Sequence, residues 1–394
     1  LKQLFHHIQH RYFRTLLYSF LLLKLDNRHS TTTLLTILLS FLIVKYCRNF
    51  FVISYIPKKL TTSKGAFSMN NQIKVAIVGY GNLGRGVELS ISKNPDMSLV
   101  AVFSRRDPKS VTTINTPVFS LENILDFKEK IDVLILCGGS KDDLPIQGPK
   151  FAEHFHIVDS YDNHAEIPTY FASVDKACQK NKKIGMISVG WDPGMFSINR
   201  IYGEALLPDG DTYTFWGKGL SQGHSDAIRR VEGVKNGVQY TIPSNSAIEK
   251  VRSGARPTLT TKEKHSRECF VVLKDGADAK KVENEIKTMP NYFEPYDTTV
   301  NFISQEEFDK NHNTMPHGGF VIRSGKSSQG VNQVIEYALK LDSNPEFTAS
   351  VLVAYARATY KMSLKGDFGA KTVFDVAPIL LSSKSSADLV KELL

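Results

Sequence analysis

Cysteine is scarce in this chain. Among 394 residues there are four, Cys47, Cys137, Cys178 and Cys269, and they form neither a Cys-x-x-Cys pair nor a zinc-ligand spacing. The sequence therefore predicts no disulfide and no metal site, which is typical of a protein of the reducing cytoplasm.

Long apolar runs are missing as well. The apolar stretches of residues 1–68 are interrupted by charged residues, and none reaches the roughly 20 residues that a membrane-spanning helix needs. These 68 residues contain ten Lys or Arg but a single acid, Asp26, and the first methionine of the chain is Met69. We expect residues 1–68 to be translated upstream sequence outside the folded protein. A short membrane anchor and an organellar transit segment are the alternatives.

An excess of one charge is absent from the rest of the chain. Residues 69–394 contain 39 basic and 39 acidic residues, so their summed field does not attract phosphate backbones or anionic surfaces. We therefore expect no nucleic-acid partner and no membrane association for the folded body. Any anion site must be local.

The most informative motif present is a buried strand that runs into a glycine-spaced turn. The strand Val75–Val78 leads into Gly79-Tyr80-Gly81-Asn82-Leu83-Gly84. In such a turn the first glycine permits the tight bend, the second lets the backbone approach a pyrophosphate, and the third lets a helix pack closely. The following helix would direct its free N–H groups at the phosphates.

The residues about twenty positions after the glycine turn indicate which cofactor binds. Where an NAD-binding fold carries an acid for the ribose, this chain has Ser104-Arg105-Arg106. Two guanidinium groups suit a 2′-phosphate, so we predict NADP(H). The predicted cofactor residues also include the end of a later strand, Cys137, Gly138, Gly139 and Ser140.

Short β-branched runs alternate with helical stretches from Met69 onwards. This pattern predicts an α/β protein with a Rossmann-type doubly wound parallel sheet, and with strands near 75–78, 99–103, 133–136, 157–158 and 184–189. Beyond residue 191 the pattern predicts a second, α+β domain. We place the NADP-binding domain at 69–190 and the second domain at 191–343, and leave open whether residues 344–394 return to the first.

Acidic residues follow two of the predicted strands. Ligands of open α/β sheets bind beyond the carboxyl ends of the strands, so Asp162 and Asp192 are candidates for proton handling on a substrate amine. Hydride removal from an amino carbon requires a neutral amine, and a nearby carboxylate can accept its proton. The alternative for either residue is an Asp that stabilises a loop by an Asx-turn.

Donors that suit an amino-acid substrate occur further along the chain. The glycine-rich loop 215–226 offers backbone N–H groups and His224, and Arg267 suits bidentate pairing with a carboxylate. Core packing of the tryptophans and ordinary surface roles for the other residues are the alternatives. The candidate substrate-binding residues are Trp191, Trp216, Gln222, Gly223, Thr241, Arg267, His317 and Asn332.

Taken together, several segments make residues 69–394 resemble the meso-diaminopimelate dehydrogenase family. They are residues 75–85, 103–106, 161–164, 190–200, 214–226, 315–319 and 340–345. The resemblance implies NADP-dependent, reversible oxidative deamination of the D-centre of meso-2,6-diaminopimelate to L-2-amino-6-oxopimelate, ammonia and NADPH. It also implies a role in lysine and peptidoglycan precursor synthesis and a cytoplasmic homodimer that associates through the second domain.

The same resemblance implies a role for each candidate residue. Asp162 and Asp192 would lie at the reacting D-centre, with the two tryptophans shaping the pocket. Gln222 and Gly223 would bind substrate, and the distal L-centre would be held by Thr241, Arg267, His317 and Asn332. The alternatives are an NADP-dependent D-amino-acid dehydrogenase of broader specificity and a non-catalytic NADPH-sensing protein.

Overall fold

The computed structural model describes residues 72–290 and 292–394. Every described residue belongs to one compact unit. The expectations for residues 1–68 lie outside the described residues. Within the described part of the chain, no helix combines the length and apolarity needed to span a bilayer.

The first half of the described chain alternates strands and helices. In chain order the strands are β1 (Ile73–Val78), β2 (Met97–Ser104), β3 (Val118–Ser120), β4 (Val133–Leu136), β5 (Ile157–Asp159) and β6 (Ile184–Met186). The helices are α1 (Asn82–Ile91), α2 (Leu144–Ala152) and α3 (Ile167–Asn181), and Leu121–Lys130 is a 3₁₀ segment.

The next part has longer strands and shorter helices. It contains α4 (Met195–Leu206), β7 (Gly210–Trp216), β8 (Gly219–Leu220), α5 (Gln222–Arg229), β9 (Val234–Pro243), α6 (Asn245–Arg252), α7 (Thr261–Lys264), β10 (His265–Leu273), α8 (Ala279–Lys287), β11 (Asp297–Phe302), α9 (Gln305–Asn311), β12 (His317–Ser328) and β13 (Val331–Leu341). These strands form a mixed four-stranded sheet, β11-β10-β9-β8, and an antiparallel three-stranded sheet, β13-β12-β7.

The chain ends with α10 (Asn344–Ser363), β14 (Gly369–Lys371) and α11 (Ser386–Leu393). Strand β14 pairs with β6 and completes a parallel seven-stranded sheet of order β14-β6-β5-β4-β1-β2-β3. The buried guanidinium of Arg357 on α10 donates to both carboxylate oxygens of Asp96, just before β2. Residues 344–371 thus add a helix and a strand to the layer built by residues 73–186.

Helices cover both faces of this sheet, which explains why β1 and β4 are almost entirely apolar. Along β1, Val75 and Ile77 pack with the residues of α1 and α10, whereas Ala76 and Val78 pack with those of α2 and α3. Polar residues therefore gather at the ends of the strands and not on the faces of the sheet.

Two details differ from the pattern expected from sequence. The predicted strand 184–189 ends at Met186, because the chain turns at Ser188, whose φ is +56°. Strand β13 is not evident in the sequence, since most of its residues are exposed and its side chains do not alternate between apolar and polar.

Candidate active site

Two cavities lie at the carboxyl edge of the seven-stranded sheet. The first, of about 240 Å³, is the glycine-turn cavity. Its walls include eight of the predicted cofactor residues: Gly79, Tyr80, Ser104, Arg105, Arg106, Cys137, Gly138 and Gly139. The second, of about 320 Å³, is the tryptophan cavity, which is named for Trp191 in its wall.

The three glycines of the turn have distinct environments. Gly79 has φ +91°, which favours glycine. A Cβ added at Gly84 would lie 2.3 Å from the Gly79 carbonyl oxygen, whereas one at Gly81 would meet nothing within 4 Å. Close packing at the third glycine and open space at the second are what a dinucleotide requires. The residues of the turn therefore fit NADP(H).

The two arginines after β2 lie at the rim of the same cavity. Arg105 forms an ion pair of 2.7 Å with Asp143, and an Nη of Arg106 donates to the Tyr80 carbonyl oxygen at 2.8 Å. The backbone N–H of Arg106 donates to the hydroxyl of Ser104. Both arginines thus line the glycine-turn cavity, where their guanidinium groups suit a 2′-phosphate.

The remaining cofactor candidates lie between the two cavities. Leu83, in the first turn of α1, lines the tryptophan cavity, while the side-chain amide of Asn82 approaches the sulfur of Met315 at 3.8 Å. The hydroxyl of Ser140 accepts a hydrogen bond from the backbone N–H of Asp162. The glycine turn and its helix therefore connect the two cavities.

The tryptophan cavity gathers six of the predicted catalytic and substrate-binding residues. It is lined by Asp162, Trp191, Asp192, Gln222, Gly223 and His317, together with Leu83, Ser160, Val189, Gly190, Pro193, Leu220, Ser221, Asn344, Pro345 and Thr348. These residues come from the ends of the parallel strands, from the start of α5 and from the starts of β12 and α10. The fold brings them together from positions up to 265 residues apart, Leu83 and Thr348.

The two candidate acids differ in their partners. Asp192 accepts hydrogen bonds from both terminal nitrogens of Arg200, at 2.9 and 2.8 Å, and from the indole N–H of Trp216 at 2.7 Å. Asp162 is exposed, and its carboxylate makes no hydrogen bond or ion pair with any described residue. Of the two, Asp162 has the carboxylate that is free to meet a ligand.

Thr241 and Arg267 lie side by side on β9 and β10, where their backbones are directly paired. Both are buried, and Arg267 donates from Nη1 to the Thr241 hydroxyl. The guanidinium carbon also lies 3.7 Å from the centre of the Tyr296 ring. The pair lies behind the wall of the tryptophan cavity, because Thr241 pairs with Gly219, and a Cβ at Gly219 would lie 2.4 Å from the His317 ring.

Trp216 is held from two sides. Its indole ring stacks on that of His265, with ring centres 5.3 Å apart, and its backbone N–H donates to Nε2 of His265 at 2.8 Å. Burial lowers the pKa of His265 to about 4, so that the imidazole is neutral and can accept this hydrogen bond.

The structure places Asn332 away from the tryptophan cavity. This residue is exposed on β13 opposite Lys326, near the turn of the β12–β13 hairpin. His317 is paired with Leu341 at the other end of the hairpin, so Asn332 lies roughly 30 Å along the strand from the cavity.

The sequence reasoning missed Asn344, which lines the tryptophan cavity at the start of α10. The indole N–H of Trp191 donates to Asn344 Oδ1 at 2.9 Å, and the Thr348 hydroxyl approaches the same oxygen at 3.3 Å. Because an indole N–H can only donate, the atom it contacts is the oxygen, which leaves the amide NH₂ of Asn344 for a ligand. Because the preceding strand β13 is not evident in the sequence, no local signal marked this residue.

The chain is similar in sequence to known proteins of one family. The family described as "Diaminopimelic acid dehydrogenase C-terminal domain" matches residues 190–343. The chain is 63% identical over 325 residues to the meso-diaminopimelate D-dehydrogenase of Ureibacillus thermosphaericus, which covers 82% of this chain and 100% of that protein. It is 64% identical over 323 residues to the enzyme of the same name from Lysinibacillus sphaericus, covering 82% and 99%.

The chain is also similar to solved structures of dehydrogenases. The Corynebacterium glutamicum DAP dehydrogenase in complex with DAP has 50% sequence identity and a TM-score of 0.77, and it covers 82% of this chain and 100% of that one. An engineered D-amino acid dehydrogenase bound to NADP⁺ has 49% identity, a TM-score of 0.73 and the same coverage.

Proposed function

The chain belongs to the meso-diaminopimelate D-dehydrogenase family, and we propose that it catalyses the NADP-dependent, reversible oxidative deamination of the D-centre of meso-2,6-diaminopimelate. The products would be L-2-amino-6-oxopimelate, ammonia and NADPH. Run towards amination, this reaction makes a precursor of lysine and peptidoglycan.

One observation carries the proposal: the tryptophan cavity combines a free carboxylate with several hydrogen-bonding groups. It presents the carboxylate of Asp162 together with His317 and Asn344, and the buried Arg267 lies behind its wall. A substrate with an amine and a carboxylate at both ends needs such a site, because the unreactive end must be fixed for a single carbon to meet the cofactor.

The residues that would hold NADP(H) are those of the glycine-turn cavity. Gly81 leaves room for the pyrophosphate at the start of α1, and Arg105 and Arg106 suit the 2′-phosphate. Bound NADP⁺ supplies the hydride acceptor. The neighbour bound to NADP⁺ supports this assignment.

Asp162 would accept a proton from the substrate ammonium. The neutral nitrogen can then donate its lone pair while the α-hydrogen leaves as hydride, which gives an iminium that water converts to the ketone and ammonia. Trp191 and Pro193 line the same cavity as this carboxylate. Asp192, held by Arg200, keeps Trp216 in place through the indole N–H.

Steady-state kinetics of the purified protein test the function. We expect NADP⁺ reduction with meso-diaminopimelate, none with the LL isomer, and at least a tenfold lower kcat/KM with NAD⁺. Turnover of simple D-amino acids as fast as of the meso isomer would indicate the broader dehydrogenase. NADPH binding without turnover of any amino acid would indicate a sensor.

We further propose that the protein is a cytoplasmic homodimer. Helix α4 exposes three large apolar side chains, Ile201, Tyr202 and Leu206, the last 70% accessible. A single chain would leave this patch in water, whereas a second copy can bury it. Sedimentation equilibrium should give twice the mass of one chain, and Leu206→Glu should shift the distribution towards monomer.

A further inference from the structure

A buried glutamine lies beneath the Thr241–Arg267 pair. Gln239 is on β9, two residues before Thr241 and therefore on the same face of the strand. It is fully buried, and its Nε2 donates to the Thr241 hydroxyl at 3.2 Å.

The Thr241 hydroxyl therefore receives two hydrogen bonds. One comes from the Gln239 amide and the other from the guanidinium of Arg267, which has no acceptor. A hydroxyl oxygen has two lone pairs and a single proton, so both lone pairs are engaged. No described residue accepts the proton of Thr241, which leaves it for a ligand.

The orientation of the Gln239 amide follows from burial. As placed, the amide leaves its Oε1 without a partner. In the reversed orientation the two N–H groups would stand where Oε1 now has no hydrogen-bond partner, and Oε1 would accept the proton of the Thr241 hydroxyl. An unpaired carbonyl oxygen is the less costly of the two, because buried N–H groups are rarely left unpaired.

The backbone of Gln239 forms hydrogen bonds with residues at the start of helix α5. The Gln239 carbonyl accepts from the backbone N–H of Ser221, and its N–H donates to the Ser225 hydroxyl at 3.0 Å. These bonds do not involve the side chain, so a substitution at residue 239 can change the Thr241 hydroxyl while the start of α5 stays in place.

We propose that Gln239 is a positioning residue for the distal end of the substrate: its side-chain amide commits the Thr241 hydroxyl to donate to the distal carboxylate. The proposal rests on the proposed function, since the distal carboxylate is that of the L-centre. Gln239 itself does not line the cavity.

The test uses two substrates that differ only at that carboxylate. D-Lysine is meso-diaminopimelate without the carboxyl group of the L-centre. For Gln239→Met in the full-length protein, we expect a roughly five- to tenfold higher KM for meso-diaminopimelate, about the size of one typical hydrogen bond, with kcat within about twofold. The kcat/KM for D-lysine, or its inhibition constant, should stay within about twofold of wild type.

A double-mutant cycle tests whether Gln239 affects KM through the Thr241 hydroxyl. In a Thr241→Val background, Gln239→Met should add nothing, because the hydroxyl it orients is gone. Gln239→Glu is nearly the same shape, and in its ionised form the carboxylate can only accept from Thr241, so it should raise the KM for meso-diaminopimelate at least as much. This variant also serves if the methionine variant does not fold.

The outcomes separate the inference from the proposed function. An unchanged KM for meso-diaminopimelate in a folded Gln239→Glu variant would overturn the inference. Equal losses on both substrates would do the same, as would additive effects of Gln239→Met and Thr241→Val. A wild-type protein that does not turn over meso-diaminopimelate would instead overturn the proposed function.

Discussion

Arg200 and Asp192 form a two-point ion pair across the turn that starts α4, with N–O distances of 2.9 and 2.8 Å. The Asp192 side chain is only 4% exposed, and its Oδ2 also accepts from the indole of Trp216. A carboxylate with these partners is held in one orientation. Asp162, in the same cavity, has neither kind of partner among the described residues.

This difference predicts different consequences for the two acids. Asp162→Asn should lower kcat by about 100-fold or more through loss of the proton acceptor, while the melting temperature stays at the wild-type value. Asp192→Asn should lower the melting temperature and raise KM, because Arg200 loses its buried partner and Trp216 its anchor.

Steady-state kinetics and thermal unfolding of both variants check this contrast. A matched Arg200→Gln variant should reproduce the effect of Asp192→Asn, since it breaks the same ion pair from the other side. Loss of kcat in Asp192→Asn with unchanged stability would instead assign proton transfer to Asp192.

The two asparagines give a second prediction. Asn344→Ala should raise the KM for meso-diaminopimelate about tenfold or more, because its amide NH₂ faces the cavity and loses a hydrogen bond to substrate. Asn332→Ala is the control: it removes a side chain of the same type at the distant end of the β12–β13 hairpin, and KM should not change. Equal KM values for the two variants would remove Asn344 from the site.

The sequence was a good guide to the parallel sheet and the cofactor turn. Continuous apolar runs such as Val133–Leu136 and the spacing of Gly79, Gly81 and Gly84 are local features, which can be interpreted without knowing what packs against them. Helix α3, Ile167–Asn181, likewise follows from its local pattern.

Partners that depend on tertiary contacts could not be predicted in this way. Asp192 and Arg200 are eight residues apart and meet only because of the intervening turn, and Trp216 reaches Asp192 from another sheet. Asn344 enters the site because α10 returns to the first sheet after β13, which itself lacks a recognisable strand pattern. Among donors of similar type, sequence alone gave no reason to prefer Asn344 to Asn332.

The glycines of the turn give a third prediction. Gly81→Ala should leave the melting temperature unchanged and weaken NADP⁺ binding at least tenfold, because the added methyl group meets only the space left for the cofactor. Gly84→Ala should lower the melting temperature, since its Cβ would lie 2.3 Å from the Gly79 carbonyl oxygen. Titration of NADPH fluorescence and thermal unfolding measure the two effects. Wild-type affinity in Gly81→Ala would place the pyrophosphate elsewhere.

Stability towards acid depends on buried histidines. His156 accepts a hydrogen bond from the backbone N–H of Ile184 at 3.0 Å, and burial, with the nearby charge of Lys183, lowers its pKa to about 4. In the unfolded chain its pKa is about 6.5, so between pH 6.5 and 4 the unfolded state binds more protons. The contribution of His156 is therefore present above pH 6.5 and is lost as the pH falls through that range.

His156→Asn tests this assignment, because Oδ1 of asparagine can accept the same hydrogen bond without titrating. We expect the loss of unfolding free energy between pH 7 and pH 4.5 to be smaller than in wild type by about 1 to 2 kcal/mol, measured by urea unfolding at each pH. His164→Asn, at an exposed residue, is the control and should follow the wild-type curve. If His156→Asn also follows that curve, the acid sensitivity comes from the other buried histidines, His224 and His265, whose pKa burial likewise lowers to about 4.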